Sequence, residues 1–302
     1  MIINLYRNLF SLSFRTKIYN LFLGDILYFF RNFYPLPRIK GIFIIVFSPF
    51  FPKNEYYNAW RYMGKHGYSC YPFEKTIKYK KLPVTVFYDE TKGLSYVIHN
   101  QKRLYAKRDY PEFVIKSKYR ALLTEQDANS SHRYVESYNE LQGKTLLDIG
   151  AAEGIFALDA IEYVKKVYLF ECDEEWMAPL QATFEPWKDK VEIVKKYVGG
   201  NNDDNFITID SFMKDKEQNN VFIKMDIEGY ELESLNNAKE LLTNGQSIAL
   251  SVCTYHNEND AKNISNFFET LGYSHYLTPG LLFYETHLRK TICRTNNTKM
   301  SK

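Results

Sequence analysis

The sequence predicts a doubly wound α/β domain: a Rossmann-like, mostly parallel sheet with helices on both faces, preceded by an aromatic-rich extension. Three observations lead there. After Gly143, short apolar runs alternate with amphipathic segments. A loop with the pattern Gly150-x-x-x-Gly154 joins the first of those runs to a helix. An acid, Glu171, closes the second run, 23 positions after Asp148.

In order along the chain, the first 75 residues form an irregular, aromatic-rich stretch, helical around Leu5 to Phe33, with Pro35 and Pro37 as breakers. Val84–Tyr88 and Leu94–Ile98 are β-like and flank a polar turn with Gly93, which predicts a hairpin. Ala121 to Tyr134 is polar and loop-like. The first strand of the α/β pattern is Thr145–Asp148. The helix after it, from about Ile155 to Val164, places Phe156, Ala160, Ile161 and Val164 on one face. Lys166–Glu171 is the second strand, and Trp176, Leu180 and Phe184 recur at a spacing of four behind it. Val191–Val194 and Val221–Asp226 are the third and fourth strands, the latter followed by a helix burying Leu235, Ala238, Leu241 and Leu242. Ser247–Val252 is the fifth strand, before a helix from about Asp260 to Leu271 that Gly272 caps. Leu281–Tyr284 closes the sheet, and the tail from Arg289 is polar and expected to be disordered. The expected divisions are 1–80 (aromatic, basic, helical), 81–140 (hairpin and linker), 141–286 (α/β domain) and 287–302 (polar tail).

Composition bounds the function. The 302 residues, 45% hydrophobic and 25% charged, suit one α/β domain with an appendage. A net charge of +3 is too mild for a nucleic-acid groove. It is unevenly spread: residues 1–50 carry Arg7, Arg15, Lys17, Arg31, Arg38 and Lys40 against Asp25, a surplus of five, so the remainder sums to minus two. Basic residues among Phe, Tyr and Leu give residues 1–50 two readings, peripheral contact with an anionic membrane surface or a helical cap packed on the rest of the protein. The longest uncharged apolar run, Gly41 to Pro52, is too short to cross a bilayer, which needs about 20 residues. Cys70, Cys172, Cys253 and Cys293 form no paired motif, so the thiols are expected reduced and the location cytoplasmic, with membrane association left open. Oligomeric state is not legible.

The chemistry-bearing residues cluster at strand ends. Gly150 and Gly154 let a backbone approach a ligand closely, and the absence of G-x-G-x-x-G argues against a pyrophosphate cofactor. A nicotinamide-dependent oxidoreductase is therefore disfavoured. Glu171 stands where this fold grips a ribose, and Asp148 is expected either to order the glycine loop or to attract an ammonium group. The plain alternatives are a tight turn for the glycines and a solvated strand-end carboxylate for Glu171.

Leu147-Asp148-Ile149-Gly150-Ala151-Ala152-Glu153-Gly154, Phe170-Glu171, and above all Lys224-Met225-Asp226-Ile227-Glu228-Gly229-Tyr230-Glu231 resemble the FkbM family of S-adenosylmethionine-dependent methyltransferases. The similarity runs from about Ala121 to Tyr284 and leaves residues 1–80 uncovered. It departs where many members have Asn at the position of Ala152 and Gly-Ala at that of Asn237-Ala238. The resemblance implies a class I, seven-stranded fold, S-adenosylmethionine as cofactor with Asp148, Gly150, Ala151, Gly154 and Glu171 around it, and O-methylation of a hydroxyl, commonly on a sugar or glycan acceptor. The rival expectation is a turnover-deficient scaffold of the same fold.

Methylating an unactivated hydroxyl requires alignment of the oxygen and removal of its proton. His256, after the fifth strand, is the candidate general base, and Asp226, at the end of the fourth, orients it or the acceptor, a role shared as an alternative by Asp260. A solvated loop histidine is the bland reading. Asp226, Glu228 and His256 form a minor alternative set for magnesium. Glu231 and Glu233 follow the motif, with a solvated surface as the better reading for Glu233. His132, Arg133 and Tyr134 are expected either to fold over the site or to pack the linker on the sheet.

Overall fold

The computed structural model describes residues 35–299, with side chains described for 36–295. It divides into two compact units, 1–72 and 73–302. The break falls earlier than the expected 80/81. The helix Thr76–Lys80 carries Tyr79, whose hydroxyl donates to Asp127 Oδ2 at 2.7 Å, so the segment after residue 73 is tied into the α/β unit.

In the first unit, α1 (Pro35–Val46) leads through a 3-10 turn to α2 (Glu55–His66). Pro35 and Pro37 open a helix. They sit in the first turn of α1, where a missing N–H costs nothing because that group has no intrahelical partner. The side chain of Asn54 caps α2 by accepting from Tyr57 N–H at 3.0 Å, and Gly67 ends it. The helical stretch expected around Leu5 to Phe33 lies outside the described residues.

The second unit begins with α3 (Thr76–Lys80) and an antiparallel sheet of β1 (Phe87–Asp89), β2 (Leu94–His99) and β3 (Lys102–Tyr105), the expected hairpin plus one strand. Next comes α4 (Glu112–Glu125). The segment expected as a loop from Ala121 thus starts inside a helix. With Ile115 and Thr124 as its buried residues, α4 carries no continuous apolar stripe for a pattern search to find.

The chain then runs through β4 (Thr145–Ile149), α5 (Ile155–Ala160), β5 (Lys166–Phe170), α6 (Glu174–Phe184), β6 (Val191–Val194), β7 (Tyr197–Val198), β8 (Phe206–Ile207), α7 (Ile209–Met213) and β9 (Val221–Met225). It continues through α8 (Glu231–Asn236), α9 (Lys239–Asn244), β10 (Ala249–Cys253), α10 (Asp260–Thr270), β11 (Tyr273–Leu277), β12 (Leu282–Tyr284), β13 (His287–Arg289) and β14 (Ile292–Lys299). The single helix expected after the fourth strand is two, α8 and α9, yet Leu235, Ala238, Leu241 and Leu242 are all buried as foreseen.

Seven strands form the main sheet in the order β11-β14-β10-β9-β4-β5-β6. β4, β5, β6, β9 and β10 are parallel, while β14 runs antiparallel to both neighbours. This is the class I methyltransferase fold. Every residue of β4, β9 and β10 is buried, which requires cover on both sheet faces. Leu147, Ile149, Ile223, Met225, Leu250 and Val252 form the core with Phe170, Leu235, Leu241 and Phe268.

The C-terminal expectations need correction. Leu282–Tyr284 does not close the sheet but pairs with β13 as a separate hairpin, and the tail as far as Lys299 is ordered: β14 fills the slot between β10 and β11. Its polarity concealed it. Beyond Ile292 and Cys293 the strand is polar, and Arg294 is satisfied by Glu140 Oε2 at 2.8 Å while Thr295 accepts from Leu250 N–H at 2.9 Å.

Candidate active site

The sheet reverses direction of growth at β4: the chain adds β5 on one side and later β9 on the other. Register pairs Ile149 with both Phe170 and Met225, so the three strands end level and Gly150, Glu171 and Asp226 emerge at one edge. A crevice opens there, with about 1080 Å³ of empty space partly open to solvent. Gly150, Ala152, Glu171, Tyr197, Phe206 and Asp226 are among its lining residues.

Gly150 is irreplaceable by geometry. Its φ is +77°, and a Cβ on it would lie 1.9 Å from the carbonyl oxygen of Asp226. The acid and the loop are bonded directly: Glu171 Oε2 accepts from Ala152 N–H at 2.8 Å, and Oε1 accepts from Cys172 and Asp173 N–H, both at 2.8 Å. A carboxylate has about four acceptor positions, so one remains for a ligand hydroxyl rather than two. Tyr197 and Phe206, whose ring centroids lie 5.2 Å apart, form an aromatic wall. Gly154 is held by packing, since a Cβ there would meet Phe184 at 2.7 Å and Leu180 at 3.0 Å. Ala151 is likewise buried.

Asp148 points away from the crevice into the core. Its carboxylate, 1% exposed, pairs with Lys224 Nζ at 3.0 Å, and that ammonium also donates to the Gly150 carbonyl. Burial pushes the Asp148 carboxyl up while Lys224 pulls it back. Burial would likewise lower the lysine, but Asp148 and Asp226 on either side hold it above the usual lysine range, so the pair is ionic. Asp148 therefore orders the loop through Lys224, and its expected attraction for a ligand ammonium gives way to that supporting role.

A second group of side chains converges on Asp226. Tyr134 donates to Oδ2 at 2.9 Å and Tyr255 to Oδ1 at 3.3 Å, with His132 Nε2 3.7 Å from Oδ2. His132 and Tyr134 are buried beside Asp226, and the Tyr134 carbonyl accepts from Ser251 of β10; Arg133 instead holds the carbonyls of Val135 and Gln126. Burial raises the Asp226 carboxyl, but His132, Lys224 and His256, with the Tyr134 hydrogen bond, outweigh it and hold the group below the usual range.

His256 is 3% exposed, with Nδ1 2.9 Å from Glu231 Oε1. Its Nε2 lies 3.5 Å from Asp226 Oδ1 and 3.6 Å from Glu228 Oε2, and has no hydrogen-bond partner. Burial pulls the imidazole down, but Glu231 first, then Asp226 and Glu228, raise it above 6.5. Glu231, itself buried, also accepts from Ile227 N–H at 2.9 Å. The orienting carboxylate is thus Glu231, where Asp226 or Asp260 was expected. Asp260 works one step back, accepting from Asn257 N–H at 2.8 Å to shape the loop that carries His256. Arg289, from the tail expected to be disordered, donates to the carbonyls of Tyr255 and His256.

Asp226, Glu231 and His256 bring ligand-type atoms within 4.8 Å of one another, as do His132, Asp226 and Cys253. Glu228, from the expected magnesium set, turns outward with its side chain 84% exposed. Glu231 Oε1 already accepts two hydrogen bonds, and an imidazole and a thiol are poor company for magnesium, which prefers oxygen.

Residues 204–274 match the family described as the methyltransferase FkbM domain. That match spans about a quarter of the chain. The matched span takes in the Lys224–Glu231 segment and His256, while Gly150 and Glu171 lie upstream of it. Among solved structures, the FkbM methyltransferase of Methylobacillus flagellatus is 19% identical, with a TM-score of 0.43 over 62% of this chain and 55% of that one. The chain thus spans about half the length of that protein. A Geobacter metallireducens precorrin-6y C5,15-methyltransferase is 16% identical (TM-score 0.36, 53% of this chain, 85% of that one). A Streptococcus mutans methyltransferase in complex with SAH is 12% identical (TM-score 0.40, 53% and 94%). No curated protein sequence matches the chain.

Lys224 and Tyr255 were given no role by sequence reasoning, and neither were Tyr197 and Phe206. Lys224 had a readable signal, because a charge in the middle of the apolar run Val221–Met225 must be paired. For Tyr255, which bonds Asp226, neighbouring His256 was the one clue.

Proposed function

We propose that this protein transfers the methyl group of S-adenosylmethionine to a hydroxyl of a sugar or glycan acceptor. When bound, S-adenosylmethionine supplies an electrophilic methyl group, which an acceptor oxygen takes in line as the carbon–sulfur bond breaks and S-adenosylhomocysteine leaves with the electron pair. The chain's own residues fit that cofactor. Gly150 and Ala152 give close backbone approach, Glu171 keeps one acceptor position for a ribose hydroxyl, and Tyr197 and Phe206 offer an aromatic wall for adenine. Asp226 and Glu228 put negative charge at the crevice end where a sulfonium and an ammonium need it.

His256 takes the acceptor's proton at Nε2. Its Nδ1–H donates to Glu231, which fixes the tautomer with Nε2 unprotonated and aimed toward Asp226. Asp226, held as a carboxylate and oriented by Tyr134 and Tyr255, aligns the acceptor hydroxyl. The observation that carries the reading is the buried, unpartnered Nε2 beside the crevice-lining Asp226. A sugar is favoured as acceptor because Tyr255 and Tyr284 pack around His256, tilted and edge-on with ring centroids at 4.2 and 5.8 Å, and aromatic side chains suit an acceptor with both apolar and hydroxylated faces.

The test is transfer of labelled methyl from S-adenosylmethionine to glycan fractions and defined sugars by the wild type and by His256→Ala. Label must reach a sugar hydroxyl, and the variant must lose about a hundredfold or more in turnover. Cofactor binding with no transfer to any hydroxyl would leave a scaffold of the same fold.

A further inference from the structure

We infer that the first unit docks on an anionic lipid bilayer surface through the outward face of α1 and the turn that follows it. The argument starts from a helix with the wrong side wet. Leu36, Ile39, Ile42, Phe43 and Val46 of α1 are all exposed, and Phe47 and Phe50 extend the row, with Leu36 at 73% and Phe50 at 83%. These positions recur at three and four residues, so they form one stripe along the helix. Pro37, Gly41 and Ile44 face the opposite way and are buried, with Gly41 lying against Trp60 and Gly64 of α2. Burial of the inner face is therefore already satisfied, and the outer stripe is additional apolar surface.

Charge decides what fits over it. At 100° per residue, Arg38 and Lys40 fall on the two flanks of the stripe, between its apolar centre and the packed face. Both are exposed, as are Lys53, Arg61 and Lys65, while Glu55 is the one acid between residues 35 and 66. Lys40 Nζ lies 4.1 Å over the Trp60 ring, a cation–π contact that places this cation at the edge of the stripe. An apolar stripe rich in Phe, edged on both sides by cations, matches a layer with hydrocarbon below and phosphates above. A protein partner would need a matching groove lined by acids. No described helix is long and apolar enough to cross a membrane, so the helix lies on the surface. Residues 1–34 add Arg7, Arg15, Lys17 and Arg31 against Asp25, charge of the same sign.

The experiment is flotation of the full chain with vesicles of phosphatidylcholine alone and of phosphatidylcholine with phosphatidylglycerol; it requires no knowledge of the methyl acceptor. The wild type should float with the anionic vesicles and remain behind with the neutral ones, and added salt should weaken the association. Combined Phe43→Ser, Phe47→Ser and Phe50→Ser should lower the bound fraction at least about tenfold. Arg38→Glu with Lys53→Glu should remove the anionic preference. All five side chains are exposed, so an unchanged thermal transition will verify that these variants fold. The inference is overturned by absence of flotation, by equal binding to neutral vesicles, or by undiminished binding of the triple-serine variant. Self-association of the wild type that the same variant abolishes, without vesicle binding, would give the stripe to a second copy and overturn it too.

Discussion

Replacing Glu231 by Gln separates the charge of that residue from its shape. In the native protein Glu231 Oε1 accepts from both His256 Nδ1 and Ile227 N–H, each at 2.9 Å, while Oε2 is buried with no hydrogen-bond partner. The amide can keep both bonds through its oxygen, so the imidazole stays in place and only the charge assistance disappears. Charge-assisted hydrogen bonds contribute about 1.5–3 kcal/mol and neutral ones about 0.5–1.5, a difference near 1 kcal/mol, which is roughly one pKa unit for His256. Imidazole resonances followed by NMR across pH measure this without any acceptor. Wild-type His256 should titrate above 6.5, and the variant about one unit lower. Where turnover is measured, the acid limb of the rate profile should shift down by the same amount, because the neutral imidazole is the active form. The sign carries to stability as well. A histidine whose folded pKa is raised stabilises the fold fully below about 6.5 and loses that contribution as pH rises through the folded value. An unchanged titration in Glu231→Gln would refute the coupling.

Other expectations follow from the same geometry. Lys224→Met strips the partner from buried Asp148 and should destabilise the fold by about 3–5 kcal/mol in denaturant unfolding, whereas Lys224→Met with Asp148→Asn should cost clearly less. Gly150→Ala forces a Cβ against the Asp226 carbonyl at a left-handed φ and should lower stability by at least about 1–3 kcal/mol, with loss of the thermal shift that S-adenosylhomocysteine gives the wild type. Glu153, whose carboxyl burial and Glu125 push up to about 8, destabilises the fold progressively as pH rises from its unfolded value through that range. Glu153→Gln should therefore be the more stable protein at pH 8 and the gain should vanish in acid, as read by melting temperature. Turnover should be indifferent to chelator, because Glu231 Oε1 is already engaged by two hydrogen bonds and the neighbouring imidazole is a poor ligand for magnesium; loss restored by magnesium would contradict this.

Strand ends and the glycine loop were legible because they depend on local rules. Gly150 needs a positive φ, and Glu171 ends an apolar run, and both statements are written in a few adjacent residues. Glu231 was harder. Its burial depends on α8 folding back toward the His256 loop, a contact across 25 positions that no local pattern carries. β14 was hidden for the same kind of reason: Arg294 and Thr295 find partners at Glu140 and Leu250, so a polar sequence occupies an interior strand position. Pro35 and Pro37 open α1, because the same residue that ends a helix in its interior fits the first turn of one.

A crystal structure with S-adenosylhomocysteine bound tests the account most directly. Adenosine should lie in the crevice beside Gly150, with a ribose hydroxyl on the remaining acceptor position of Glu171 and the sulfur toward Asp226. The nucleoside found elsewhere, or Glu171 turned away from the ribose, would contradict it.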